Sequence, residues 1–447
     1  MSRIPRTPRI SSMSRTSRGT ALLAAATAVA ALAGCSSSST SGSSTSGSSG
    51  GKTTISFMQI MGTGTQKSTL VKLTSDFEKA NPGVTVNLEY EPDYGTLLAK
   101  ETAAVAAHNA PTVGQVYESW AATFANSKVI LPVSQYAGSD TPAGLSDFYT
   151  GVQNDLKLPD GKLWMWPFNK SVQVLFYNQD MLKAKGLSAP TTWTQFATDA
   201  KAVSGNGVTA ISVDPGSTAS GVGGGTVMFE ALAAANGTPD FAKDGTPQLN
   251  SAAAVQSLTY LADLKKSGAL AIGTNYPGET ALGARKGAFD MSSAAGYYYE
   301  NQAVGGKFTL GTEVLPAGSS GPSNIMTGTN LVMFANASAA QQKAGWAYMQ
   351  FLASASSQAQ WSSTTGYLPV TSKALPLMSS FLAKNPYMTT AVAALEYATA
   401  QSPYSWVDKA QDEEIVALQD VLEKGADPKT ALDTAQAAAI ADQKAAQ

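Results

Sequence analysis

Val84-Thr85-Val86-Asn87-Leu88-Glu89-Tyr90 alternates apolar and polar side chains with a period of two, as a half-buried strand does. Asn81-Pro82-Gly83 stands just before it and ends a helical pattern in which Leu70, Leu73 and Phe77 share one face. A short strand pattern from Thr53 to Met58 precedes that helix, and a helix from about Tyr94 to Ala107 and a strand near Thr112 to Val116 follow. Strands and helices alternating at these lengths form βαβ units and a mainly parallel sheet with helices on both faces. The pattern restarts after Pro167, with Val172 to Tyr177 as strand and Trp193 to Val203 as helix. A third, strand-rich phase covers Gly287 to Ser292 and Phe308 to Phe334. Helices dominate from Ala339 onward, where Trp346, Met349 and Leu352 recur at helical spacing. The 447 residues suffice for one large two-lobed body or two domains.

Ahead of this region, Met1 to Ala33 carries Arg3, Arg6, Arg9, Arg15 and Arg18, no acid, and an apolar run from Ala21 to Leu32. That is a secretory leader, too short to span a bilayer. It ends in Leu32-Ala33-Gly34-Cys35, similar to the bacterial lipoprotein processing box, so residues 1–35 are expected to be a signal peptide ending at a lipidated Cys35. Residues 36–52 read as a linker: Ser36 to Gly50 contains only Ser, Gly and Thr, a flexible tether with a root-mean-square reach of about 20 Å. Anchorage to the outer face of the cytoplasmic membrane follows as the expected location. No later stretch is long and apolar enough to cross a membrane.

Composition excludes several kinds of chemistry. Without the five leader arginines, twenty-five Lys plus Arg face thirty-two acids, a net charge near −7, so nucleic acid is not an expected partner. Cys35 is the only cysteine and His108 the only histidine, which rules out thiolate or imidazole metal clusters and any internal disulfide. A nucleophile with an imidazole base could be built only around His108, which reads as a solvated residue at a helix end. After Arg18 the only arginine is Arg285, so bidentate clamps for phosphate or carboxylate are nearly absent. Gly51-Lys52-Thr53 lacks the upstream glycine of a phosphate loop, and Gly221-Val222-Gly223-Gly224-Gly225 lacks dinucleotide spacing and reads as a mobile loop. Glu89, Glu91 and Asp93 form the one acidic group from which acid and base catalysis could be argued, and a solvated sheet edge explains them as well.

Aromatic residues carry more. Sugar rings stack their C–H faces on indole or phenol while their hydroxyls bond to amides and carboxylates. Helical Trp193, Trp346 and Trp361 read as core. Trp120, Trp164, Trp166, the run Tyr297-Tyr298-Tyr299, Tyr367 and Trp406 lie near element ends, where pocket and core both remain open.

Three passages bring in a family likeness. Lys162-Leu163-Trp164-Met165-Trp166-Pro167-Phe168-Asn169-Lys170-Ser171, followed by Val174-Leu175-Phe176-Tyr177-Asn178, resembles a stretch of the family 1 extracellular solute-binding proteins of ABC importers. Gln115-Val116-Tyr117-Glu118 and Thr365-Gly366-Tyr367-Leu368-Pro369 are similar to the glycerol-3-phosphate-binding branch of that family. The resemblance implies an α/β, type II periplasmic-binding-protein-like fold of two lobes joined by three hinge crossings. It places the crossings near Asn169 to Ser171, Met291 to Ala294 and Phe334 to Ser338. Lobe 1 is then 53–168 with 295–335, and lobe 2 is 172–290 with 338–447. In that branch the matching ligand positions are Tyr94, Glu118, Ser171, Ser293, Gly328 and Tyr367. The branch also uses a late arginine for phosphate, and the two possible alignments put Trp406 or Asp408 there. Neither is cationic, which favours a neutral sugar or a glycerol compound; a helix N-terminus or Lys170 could still hold an anion.

The expected protein is therefore a lipoprotein that captures a carbohydrate or glycerol-type solute by lobe closure and delivers it to membrane permease subunits. It is expected to be a monomer, with no cofactor, no metal and no catalysis. Glu118 and Asn169 are expected to bond solute hydroxyls, with Trp406 or Trp166 stacking on the ring and Tyr297 beside them. The alternatives are a binding protein for glycerol-3-phosphate or a glycerophosphodiester, a surface glycoside hydrolase using Glu89, Glu91 and Asp93, and a sensor or adhesin on the same fold.

Overall fold

The computed structural model describes residues 52–137, 145–217 and 223–447. The leader, Cys35, the tether through residue 51, and Gly221 and Val222 lie outside the described residues. The strands are β1 (Thr53–Gln59), β2 (Val84–Tyr90), β3 (Val113–Val116), β4 (Ile130–Leu131), β5 (Trp166–Asn178), β6 (Ile211–Val213), β7 (Leu270–Ile272), β8 (Phe289–Ser293), β9 (Leu310–Glu313), β10 (Asn324–Phe334) and β11 (Ala398–Thr399). They run in the order β2-β1-β3-β10-β5-β8-β6-β7, with β4 and β11 on β10 and β9 on β5. β1 is parallel to β2 and β3, and β6 is parallel to β7 and β8. The long strands β5 and β10 run antiparallel to each other and link the two parallel groups.

Buried apolar side chains fall into two clusters, and β5 feeds both. All thirteen of its residues are buried. Alternation divides its C-terminal half: Val172, Val174 and Phe176 enter the first core, Leu175 and Tyr177 the second. β10 pairs with β5 in register from Met326 opposite Val172 to Leu331 opposite Trp166, with an irregularity at Thr329/Asn330. Just before the irregularity, Gly328 has φ +93, and a Cβ there would lie 1.9 Å from the Asn169 carbonyl oxygen. Further along, the Asn324 side chain replaces a peptide group: its Oδ1 accepts from Gln173 N (3.0 Å) and its Nδ2 donates to Gln173 O (2.8 Å).

Two expectations about lobe membership are corrected. Trp346, Tyr348, Met349, Leu352 and Trp361 pack in the first core with Phe57 and Phe77, so the helices Ala339–Ala353 and Ala355–Thr365 do not belong with the second. First-core membership persists to Ala398, and only from Ala410 do the helices Val407–Leu422 and Pro428–Ala446 add to the second. The chain thus still packs on the first core beyond Phe334 to Ser338. An apolar helical face says that a helix is covered, not which sheet covers it.

Gly328→Ala should lower stability by about 2 kcal/mol or more in urea denaturation, from positive φ combined with a backbone clash. Gly161, also at positive φ (+76) but with nothing within 4 Å of its Cβ position, should cost about 1 kcal/mol as Gly161→Ala. Equal losses would contradict the close approach of β10 to β5.

Candidate functional site

Three loops bring tyrosines to the first-core end of β5. Asp93 caps the helix Tyr94–Ala106 by accepting from Thr96 N, which sets Tyr94 at its first position. Tyr117 precedes the helix Glu118–Asn126, its ring 4.8 Å from that of Tyr94 and 5.0 Å from the Trp120 indole. Leu368 N donates to the Lys170 carbonyl (2.8 Å), which fastens the Thr365–Pro369 turn to β5 and stacks Tyr367 on Trp361. Burial raises the hydroxyls of Tyr94, Tyr117 and Tyr367 far above the usual phenol range. All three are neutral donors and acceptors at any physiological pH.

Asn169 lies among them, fully buried. Its Oδ1 accepts from Gln115 Nε2 (3.2 Å) and Thr329 Oγ1 (2.6 Å), and Gln115 Oε1 in turn accepts from Ile60 N (3.0 Å). The amide orientation is thereby set, and Nδ2 is turned toward the Tyr94 and Tyr367 hydroxyls, near enough to favour their ionised forms but short of good hydrogen-bond geometry with either. A buried unpaired amide donor is costly unless something polar reaches it.

Behind this group sits an ion cluster. Lys170, 1% exposed, meets Asp155 at 2.5 Å and Glu118 at 3.0 Å, and Asn330 Nδ2 donates to both acids. Burial and the neighbouring Asp155 push the Glu118 carboxyl up to about 8, so at neutral pH it keeps its proton while Asp155 neutralises Lys170. Glu118 is thus a neutral, buried neighbour of the Lys170–Asp155 ion pair, its Oε1 already engaged by Lys170 and Asn330, and the Lys170 charge is met by Asp155.

On the side of the second core, Ser171 and Ser293 share a 2.7 Å hydrogen bond, and Ala295 N donates to both hydroxyls. A cavity of about 330 Å³ opens there, lined by Gln173, Asp214, Asn275, Tyr276 and Asp290. Tyr276 is 76% exposed and held at φ 56, ψ 55, immediately before Pro277. It lies close enough to Tyr117 to oppose that phenol's ionisation. A bulky residue in left-handed backbone, exposed beside a cavity, is a candidate contact. Tyr117 and Tyr276 were not singled out from sequence as contacts. The first lies inside the quoted Gln115–Glu118 passage, and the second has only the Asn-Tyr-Pro turn as a signal.

The remaining positions divide differently. Trp166 is corrected to a core residue, 1% exposed and edge-on to Phe148 and Trp346. Trp406 is also buried, its Nε1 donating to Gly245 O (3.0 Å) and its ring against Tyr404, so neither indole presents a free face for stacking. Tyr297 stacks on Tyr387 with ring centroids 3.6 Å apart, on the first core. Gly328 serves the approach of β10 to Asn169. Asp408, one of the two positions allotted to the late arginine, accepts from Ser119 Oγ (2.7 Å) and ties the helix Glu118–Asn126 to the helix Val407–Leu422. His108 is exposed at a helix end with φ 56.

Because the folded Glu118 titrates near 8 and an unfolded one near 4.5, the native state between those values holds a proton that the unfolded chain has lost, and stability falls as pH rises. Glu118→Gln should remove that term. Its urea stability relative to the parent should increase from about pH 6 to about pH 8; a constant difference would contradict the protonated Glu118.

With this geometry, comparison with known proteins places the chain. Residues 72–390 match the family described as bacterial extracellular solute-binding protein. The sn-glycerol-3-phosphate-binding periplasmic protein UgpB of Pectobacterium atrosepticum is 32% identical over 341 residues, covering 70% of this chain and 73% of that protein. UgpB of Escherichia coli K12 is 29% identical over 366 residues, 76% and 80% of the two chains. Among solved structures, UgpB of Mycobacterium tuberculosis with glycerophosphocholine superposes with a TM-score of 0.78 at 20% identity, covering 88% of this chain and 99% of that one. The GacH receptor of Streptomyces glaucescens, solved unliganded and with acarbose, gives 0.76 at 20% identity, covering 89% and 100%. The fold is the two-lobed, type II periplasmic-binding architecture, and the chain belongs to the bacterial extracellular solute-binding protein family.

Proposed function

We propose that this protein is the capture component of an ABC importer and binds a polyhydroxylated solute of the glycerol or sugar class through its hydroxyls. The observation that carries this reading is the buried Nδ2 of Asn169, held facing the neutral phenols of Tyr94 and Tyr367 without good hydrogen-bond geometry to either. Neutral donors and acceptors of fixed orientation suit hydroxyl groups. An anionic group would meet no free cation there: Lys170 is neutralised by Asp155, and Arg285, the one arginine among the described residues, is exposed. The named ligands of the similar proteins, glycerol-3-phosphate, glycerophosphocholine and acarbose, each carry two or more hydroxyls.

In this reading the lobes follow the two cores, with β5, the end of β8 and the segment after Ala398 as the crossings. The solute sits between the tyrosines of the first lobe and the Tyr276 cavity of the second. Closure is driven by contacts made only when the lobes shut, since a solute with equal affinity for both shapes shifts nothing. The closed form delivers to a membrane permease powered by a separate ATPase, and a lipidated Cys35 tethers the protein to the outer face of the membrane. The hydrolase alternative is disfavoured because Asp93 spends its carboxylate on capping a helix.

A thermal-shift panel of neutral di- to tetrasaccharides, glycerol, glycerol-3-phosphate and glycerophosphodiesters tests the reading. At about a hundred times its dissociation constant, a ligand stabilises the native state by about 2.7 kcal/mol. Asn169→Leu should weaken the best binder by about 1 to 3 kcal/mol in calorimetry. Tyr276→Ala, a change at an exposed position, should weaken it without lowering stability. Unchanged affinity in both variants, or turnover of any compound in the panel, would overturn the proposal.

A further inference from the structure

Away from the tyrosines, three acids meet inside the second core. Glu230 comes from the helix Gly224–Ala235, Asp240 from the loop that follows it, and Glu414 from the helix Val407–Leu422. One carboxylate oxygen from each lies within 4.8 Å of the other two. All three side chains are buried, at 5%, 7% and 0% exposure. Gln411 Nε2 donates to Glu230 Oε1 (2.9 Å), but both oxygens of Glu414 and Oδ1 of Asp240 have no hydrogen-bond partner. None of the ion pairs among the described residues reaches the group. Asp155 and Glu118, by contrast, are buried against the Lys170 ammonium.

We propose that Glu230, Asp240 and Glu414 form a structural calcium site. Three carboxylates in an all-oxygen setting select a hard divalent cation. Calcium accepts six to eight oxygens at about 2.3–2.6 Å, so opposed ligands stand roughly 5 Å apart, whereas magnesium demands an octahedron at about 2.1 Å and close to 4 Å across. Oxygens within 4.8 Å of one another can share one ion, and three protein carboxylates suit calcium better than magnesium, which keeps several of its waters and takes one or two. A cavity of about 410 Å³ lined by Glu230, Asp240, Gln411 and Ser402 provides the path of entry and room for the waters that complete the shell. Left without a cation, the acids would hold protons, since burial raises each of them, Glu230 to about 7. The ion would join two helices and a loop of the second core beside the 398–406 segment, where the chain last changes core. This inference does not depend on which solute is bound.

The test uses the full-length protein, stripped with chelator and dialysed, in equilibrium dialysis with radioactive calcium and in thermal denaturation with calcium or magnesium chloride. One calcium is expected per chain, with a melting temperature several degrees higher in calcium than in the same concentration of magnesium. Glu414→Gln and Asp240→Asn should each lose both the bound calcium and the temperature rise. Absence of bound calcium on the unsubstituted protein overturns the proposal whether or not the variants fold. So would equal stabilisation by magnesium, or an undiminished calcium response in both variants.

Discussion

Lys170 is buried to the tip of its ammonium in the middle of the strand that both cores share, and the placement of the candidate ligand contacts follows from how it is held. Its side chain binds Asp155 and Glu118, and so secures the start of the helix that Tyr117 precedes. Its carbonyl accepts from Leu368 N, and so secures the turn that carries Tyr367. Its neighbours in sequence are Asn169, whose amide faces those tyrosines, and Ser171, which meets Ser293 where the chain passes between cores. Breaking a buried ion pair by removing one partner costs about 3–5 kcal/mol, so this arrangement tolerates little change. It is a device for precision, since apolar residues of similar volume would hold the strand as well but would orient no polar group.

Much of the fold was legible in local pattern. Val84–Tyr90 is a strand over the residues that alternate, and the helix at Trp193–Val203 has the bounds its spacing predicts. The long strand β5 was read only from Val172, because Pro167, Asn169, Lys170 and Ser171 interrupt any apolar alternation. Those polar residues are buried there through partners 52 to 160 positions away, which no local window contains. The cover of the late helices was illegible for a related reason: Trp346, Met349 and Leu352 announce a covered face without naming its cover. At the site, family likeness named Tyr94 and Tyr367, which lie beside the Asn169 amide, while Trp166 and Trp406 show that a tryptophan near a strand end or loop serves a core as readily as a pocket.

Electrostatics shape the binding reading more than aromatic content does. The phenols are neutral, Glu118 holds a proton, Asp155 offsets Lys170, and neither Trp406 nor Asp408, the two positions the resemblance allots to the branch's arginine, is cationic. A solute entering between the cores would meet dipoles of fixed direction and little net charge. Such a surface recognises hydroxyl geometry, and its affinity should depend weakly on ionic strength because screening acts on charges and not on oriented dipoles.

The most direct measurement is small-angle X-ray scattering of the purified protein with and without a saturating amount of whichever polyhydroxy compound stabilises it most. Capture by closure of two lobes requires the radius of gyration to fall on binding. An unchanged radius at proven saturation would contradict a site shared by two lobes that shut on their guest.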